Sequence, residues 1–214
     1  MIKNASRSLY LAEAFAFCVY VAWYIWQLQE SFRLSWIVFP VWLVLSFLFH
    51  KDSRKSFGWR ADNLPSALKY SAMIFVPCLV GLVVIGIFLG AWQRSFQALL
   101  VPRHFFGYMT FCLVQQIGLN SLVTNRLLSA IDNRVHVGLL AGTIFAFLHW
   151  PNPVLVPVTF VGGFLMSWLF AKERNILTLS VWQGIIGTVV WWAFPVAWHH
   201  AMRVGPGFYR FRLH

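Results

Sequence analysis

Uncharged polar side chains recur along one stretch of an otherwise apolar chain. In FCLVQQIGLNSLVTNRLL, from Phe111 to Leu128, Gln116, Asn120 and Thr124 stand four residues apart. On a helix that spacing puts them on one face. Gln115 lies about 100° from Gln116 and widens the stripe, and Ser121, Asn125 and Arg126 extend it. A carboxamide donates and accepts hydrogen bonds but does not take up a proton as a base near neutral pH. In an apolar medium each amide must find a partner, and bonds between helices add ~0.6–2 kcal/mol per contact. Helix pairing accounts for any one of these amides; several in one run point to a polar cavity.

The remaining candidates are sparse. His149 closes the next apolar run, just before Trp150-Pro151-Asn152-Pro153. It reads as an interface residue or as a base with an ordinary pKa of ~6.5. Gln183 and Gly187 lie one turn apart in the last long run, with Gly184 and Thr188 beside them. Gly138 and Gly142 form a GxxxG, and Gly162, Gly163 and Ser167 follow, all small residues that let helices approach. Glu13 is the one carboxylate well inside an apolar run; Glu30, Asp52, Asp62, Asp132 and Glu173 fall in loops or at ends. A transporter would want paired intramembrane charges or broken helices, and Glu13 alone is a poor candidate. Cys18, Cys78 and Cys112 are far apart inside apolar runs and read as free core thiols. HExxH, GxSxG and P-loop patterns are missing. His149 is isolated, and His199 and His200 lie at the end of the last run, so neither a metal nor a cofactor is expected.

The elements that must position these residues are membrane helices. Hydrophobic residues make up 59% of the chain and charged ones 11%, against about 25% charged in a soluble domain. Lipid is then the solvent for much of the surface, as 12 Trp and 21 Phe also suggest. The expected fold is all-α, a polytopic transmembrane helical bundle of about seven spans. They fall at about 8–27, 34–49, 66–90, 104–129, 134–149, 154–171 and 176–198. The first is too long for an ordinary signal core. Residues 1–100 would hold the N-terminal helices and a basic loop, 101–198 the core, and 199–214 a short basic tail with the turn Gly205-Pro206-Gly207. The net charge of +11 sits mainly in short loops, which points to anionic lipid rather than nucleic acid. Eleven basic residues fall on the N-terminal side of the spans and six on the other, so the N-terminus is expected in the cytoplasm and the tail outside.

The segment from about Val101 to Trp192 resembles the CAAX-protease and bacteriocin-processing (CPBP, or Abi) family of intramembrane endopeptidases. Three motifs on successive helices mark that family. Gln115-Gln116-Ile117-Gly118-Leu119-Asn120 aligns with its EExxxR, Phe145-Ala146-Phe147-Leu148-His149 matches its FxxxH, and Gln183-Gly184-Ile185-Ile186-Gly187 stands in place of its HxxxN or HxxxD. FLHWPNP, GGFLMSWLFAKERNILTLSVWQG and the Phe57-Gly58-Trp59-Arg60 loop are also similar to the family's context. The resemblance implies a water activated by the first-motif glutamate, with His and Asn groups stabilising an oxyanion. Here Gln115 and Gln116 replace both glutamates, Asn120 the arginine, Gln183 the histidine and Gly187 its partner.

By motif position the site is therefore Gln115, Gln116, Asn120, His149, Gln183 and Gly187, with Phe145 and Thr124 in support. Losing a general base costs ~10²–10⁴-fold in rate. The resemblance thus implies a proteolytically silent or strongly altered protein of the bacterial plasma membrane. It would bind a membrane peptide or a prenylated protein segment in a polar intramembrane cavity. An active endopeptidase using His149 is the alternative, and a small transporter or membrane scaffold a third. The expected spans put His149 near one surface and Gln183 about 10 Å from the other, at ~1.5 Å per residue. A shared site requires them at similar depth.

Overall fold

The computed structural model of the chain describes residues 2–91 and 102–212. Arg94, and the boundary drawn between residues 100 and 101, lie outside the described residues. The described residues form helices joined by turns and loops, without strands. Seven long helices carry the fold. Helix α1 (Ile2–Trp23) continues through a π-helical stretch, Tyr24–Leu28, into Gln29–Ser31. Helix α2 (Val38–Phe49) follows a 3-10 stretch, Arg33–Ile37, and α3 is Leu64–Phe88. Helix α4 (Pro102–Gln116) continues through a second π stretch, Ile117–Thr124, into Asn125–Ala130. Helices α5 (Arg134–Phe147), α6 (Leu155–Glu173) and α7 (Ile176–Ala193) complete the set.

Sequence signals set many of the ends. Asn133 accepts from the backbone N–H of Val135 and His136 to start α5, and Asn175 accepts from Thr178 to start α7. Pro65 sits in the first turn of α3, where its missing N–H costs nothing. The last helix is shorter than its apolar run suggested. It stops at Ala193 rather than 198, because Phe194 precedes Pro195 and takes the extended backbone that proline imposes on its neighbour (φ −100°, ψ 148°). Residues 196–209 then form short turns that fold back over the bundle.

Among the described residues, four helical segments are long and apolar enough to cross a membrane: Arg7–Ser31, Leu64–Phe88, Leu155–Glu173 and Ile176–Ala193. Arg33–Phe49 and Arg134–Phe147 are apolar but shorter, and α4 carries the amide stripe. Large apolar side chains such as Val19, Leu48, Met73, Val80 and Phe88 point outward. Such a surface suits a lipid solvent.

The loops gather at two opposite ends. At one end Arg7 pairs with Asp132, Ser66 donates to Glu173, and the Asn175 amide donates to the Arg60 carbonyl and to Asn63. Gly58 holds that end together. Its φ of +88° suits glycine, and a Cβ there would strike the Phe170 ring. Its carbonyl accepts from Ile176 N–H. At the other end Glu30 pairs with Arg210, and Asn152 binds the segment after α7. Between the ends, one apolar cluster joins α1, α4 and α5, with α2 packed on it; a second joins α3, α6 and α7. Helices α5 and α6 pack tightly through Gly138, Gly142 and Gly163. A Cβ on Gly142 would stand 2.6 Å from the Phe160 carbonyl oxygen, so the GxxxG is a packing face.

The charged end corrects the reading of Glu13 as an isolated carboxylate. Arg126, its side chain 1% exposed, donates Nε to Glu13 Oε2 at 3.0 Å and Nη2 to Asp52 Oδ2 at 2.6 Å and Ser46 Oγ at 2.8 Å. His50 Nε2 meets Glu13 Oε2 at 2.7 Å. Asp52 also accepts from Asn125, whose own oxygen accepts from Arg174. Burial pushes the Arg174 guanidinium below its ordinary value. One buried network thus ties α1, α2, the loop after α2, α4 and the end of α6.

Candidate functional site

A cavity of about 430 Å³ opens between α1, α2 and the core helices α4 to α7. Gln115, Phe145, His149, Gln183 and Gly187 line it, with Tyr108, Thr159, Gly162 and Met166. Three separate helical segments therefore bring their candidate residues to one space. His149 reaches the same cavity as Gln183 from the turn after α5. The anchor of that turn is Asn152, fully buried, which accepts from Val154 and Leu155 N–H and donates to the carbonyls of His199 and Arg203.

Both π-helical stretches face this cavity. Tyr24 and Ile25 line it from α1, and Gly118, Leu119 and Val123 from α4. A π turn adds a residue to the helical repeat and rotates the side chains that follow, a distortion frequent at functional sites. In α4 the Ile117–Thr124 stretch begins directly after Gln116.

The amides form a relay. Gln183 Nε2 donates to Gln115 Oε1 at 2.5 Å, Gln116 Nε2 to Gln183 Oε1 at 2.6 Å, and Asn120 Nδ2 to Gln116 Oε1 at 2.5 Å. Gln116 also contacts the Met166 sulfur at 3.1 Å. Gln115 and Gln183 stand at the cavity wall; Gln116 and Asn120 are buried behind it and hold Gln183 in place. Asn120 Oδ1 is buried without a hydrogen-bond partner among the described residues. Thr124 does not reach the cavity. Its hydroxyl donates to Ser167 at 3.0 Å and pairs α4 with α6.

His149 is fixed differently. Nδ1 lies 2.7 Å from the Phe145 carbonyl oxygen. A carbonyl can only accept, so Nδ1 carries the hydrogen and, in the neutral ring, Nε2 keeps the lone pair. The Phe145 ring meets the imidazole edge-on, with centroids 4.6 Å apart. The FxxxH pair therefore acts as one unit, the Phe backbone and ring both orienting the His.

Gly187 has a spatial reason to be glycine. The Tyr108 hydroxyl occupies the space that a Cβ at 187 would need, and Met109 does the same at Gly184. Sequence reasoning missed Tyr108; the glycine facing it, Gly187, is the signal that could have found it. No charged side chain stands among the described lining residues. The cavity can hold an apolar body and hydrogen-bond it through the Gln115 and Gln183 carboxamides and the His149 imidazole, with the Gln29 carboxamide and the hydroxyls of Tyr24, Tyr108 and Thr159 also on the wall. No family model, no curated protein and no solved structure matches this chain.

Proposed function

We propose that this chain is an integral membrane protein of CPBP type whose site has lost its proteolytic chemistry and holds a membrane-embedded segment, a peptide or a lipid-modified one. The observation that carries the reading is the convergence of Gln115, His149 and Gln183 on one uncharged cavity. They stand at the three motif positions of that family, on α4, at the end of α5 and on α7. A hydrolase would need an ionisable base or a metal beside the water it activates. Here an amide relay takes the place of that base. Seven crossings, with the N-terminus on the cytoplasmic side of a bacterial plasma membrane, fit the alternation of loops between two ends and the excess of basic residues at the Arg7 end.

A second reading rests on one feature. His149 presents Nε2 with its lone pair, held by the Phe145 carbonyl. Such an imidazole has the chemistry of a general base, and an endopeptidase would use it to activate water. A survey of new protein termini separates the two readings. Native cells lacking the gene are compared with cells expressing the wild type or His149→Ala. The first reading expects no termini specific to the wild type, with expression confirmed. Termini that appear with the wild type and vanish with His149→Ala would overturn it in favour of the second.

A further inference from the structure

Resting on the cavity-binding reading above, we infer that the cavity's occupant is a single apolar lipid chain ending in an uncharged hydrogen-bonding group. Three observations choose this class: size, length and charge. The cavity's volume is about 430 Å³. Along α1 its lining runs from Phe17 to Gln29, about 18 Å at ~1.5 Å per residue. A helical peptide is ~10 Å across with its side chains; measured in the same way, as the space open to the centre of a water molecule, it would need roughly 700 Å³ over that length. An extended peptide would be thinner. It would also bring an unpaired N–H and C=O at every residue into an apolar wall, and each costs several kcal/mol when unsatisfied. A lipid chain has no such groups, and one chain spans a single leaflet, about half of the ~30 Å hydrocarbon thickness. The cavity matches one such chain in length.

Charge decides the end group. The described lining residues carry no charged side chain. The chain's buried ionic groups pair among themselves around Arg126. A carboxylate, phosphate or ammonium placed against Gln115 and Gln183 would enter without a counter-charge, at high cost. A hydroxyl, ester or amide would find donors and acceptors in the Gln115 and Gln183 carboxamides and in His149 Nε2. The apolar chain would then lie against Phe17, Leu43, Leu119 and Val123, which also line the cavity.

Gly162 gives a clean way to fill the space. It lines the cavity on α6, and a Cβ built there meets nothing within 4 Å. Leucine at this position favours the helix and projects into the cavity. Gly118 offers a second site, where a Cβ would meet the Phe17 ring at 3.6 Å, an ordinary contact.

The test uses the full chain in lipid nanodiscs with four probes bearing the same diazirine. These are a sixteen-carbon alcohol, chains of the same length ending in a sulfonate or in a trimethylammonium, and an apolar helical peptide. Cross-links are mapped by mass spectrometry. The alcohol is expected to label the stretches 17–29 and 114–123. Each charged chain is expected to label them about tenfold less or weaker still, and the peptide not at all. Gly162→Leu and Gly118→Leu should each reduce labelling by the alcohol several-fold, at an unchanged unfolding temperature. Equal labelling by a charged chain, or preferred labelling by the peptide, would overturn the ligand class and leave the binding cavity standing. If no probe labels these stretches, or if neither glycine variant reduces labelling, the binding reading itself fails.

Discussion

Replacing Arg126 by methionine should destabilise this protein more than any single change at its amide site. The guanidinium is 1% exposed and bridges Glu13 and Asp52, whose side chains are 13% and 9% exposed. Methionine keeps the apolar stem and removes the charge. Two nearly buried carboxylates then lose the cation they share, and Ser46 loses its donor. Removing one partner of a buried ion pair costs ~3–5 kcal/mol, whereas exchanging the whole group for uncharged residues is often nearly neutral. The single variant should therefore lose about 3–5 kcal/mol, a large share of a typical ~5–15 kcal/mol. The triple variant Arg126→Met, Glu13→Gln, Asp52→Asn should recover most of that loss. Reversible unfolding in mixed micelles, followed by tryptophan fluorescence, measures both. A loss below ~1 kcal/mol for Arg126→Met, or strict additivity of Arg126→Met with Glu13→Gln, would refute the argument that these groups act as one unit.

Two further changes test the site's scaffold. Gly187→Asn collides with the Tyr108 hydroxyl; it should cost ~1–3 kcal/mol by overpacking, and Tyr108→Ala in the same chain should relieve it, both read by thermal unfolding. Asn152→Ala removes the acceptor of Val154 and Leu155 N–H and the donor to two carbonyls of the terminal segment. Each buried group left unsatisfied costs ~1–3 kcal/mol. Amide exchange at Val154, Leu155 and residues 199–205 should quicken by about tenfold or more while the interior of α4 stays protected, and uniform protection would count against this anchor.

Helices were the legible part of this sequence. In lipid-like runs the apolar length marks the span, and expected ends such as 34–49 and 134–149 fall close to α2 and α5. Where the apolar run outlasted the helix, at 193–198, proline chemistry overrode hydropathy. The amide stripe was legible as a stripe, because a four-residue period is visible in one dimension. Which amides face the cavity was not, since that depends on the π stretch after Gln116, and a widened turn has no composition of its own. The partnership of Glu13 and Arg126 was hidden for another reason. The two residues are 113 positions apart, and only the antiparallel packing of α1 on α4 brings them together. Gly187 was legible as small, but its reason, the Tyr108 hydroxyl, lies on another helix.

The distribution of polar groups follows from what each costs in an apolar interior. A buried charge needs a counter-charge and further hydrogen bonds, so the ionised groups of this bundle concentrate where Arg126 can serve two carboxylates and Asn125 links to Arg174. A carboxamide carries both donor and acceptor, so Gln115, Gln183, Gln116 and Asn120 hydrogen-bond one another in series without any ion, with Asn120 Oδ1 left over at the buried end. Had Gln116 been a glutamate, it would have lost the donor that Gln183 Oε1 receives and gained a charge with no cation among the described residues at the cavity wall. The arginine that could compensate, Arg126, stands ten residues further along the same helical run, about 15 Å away along the axis at ~1.5 Å per residue, and is already bound at the charged end. Glutamine at 116 and asparagine at 120 are therefore a consistent pair, since neither position carries a charge for the other to balance. A glutamate at 116 or an arginine at 120 alone would bring an uncompensated charge into this buried relay.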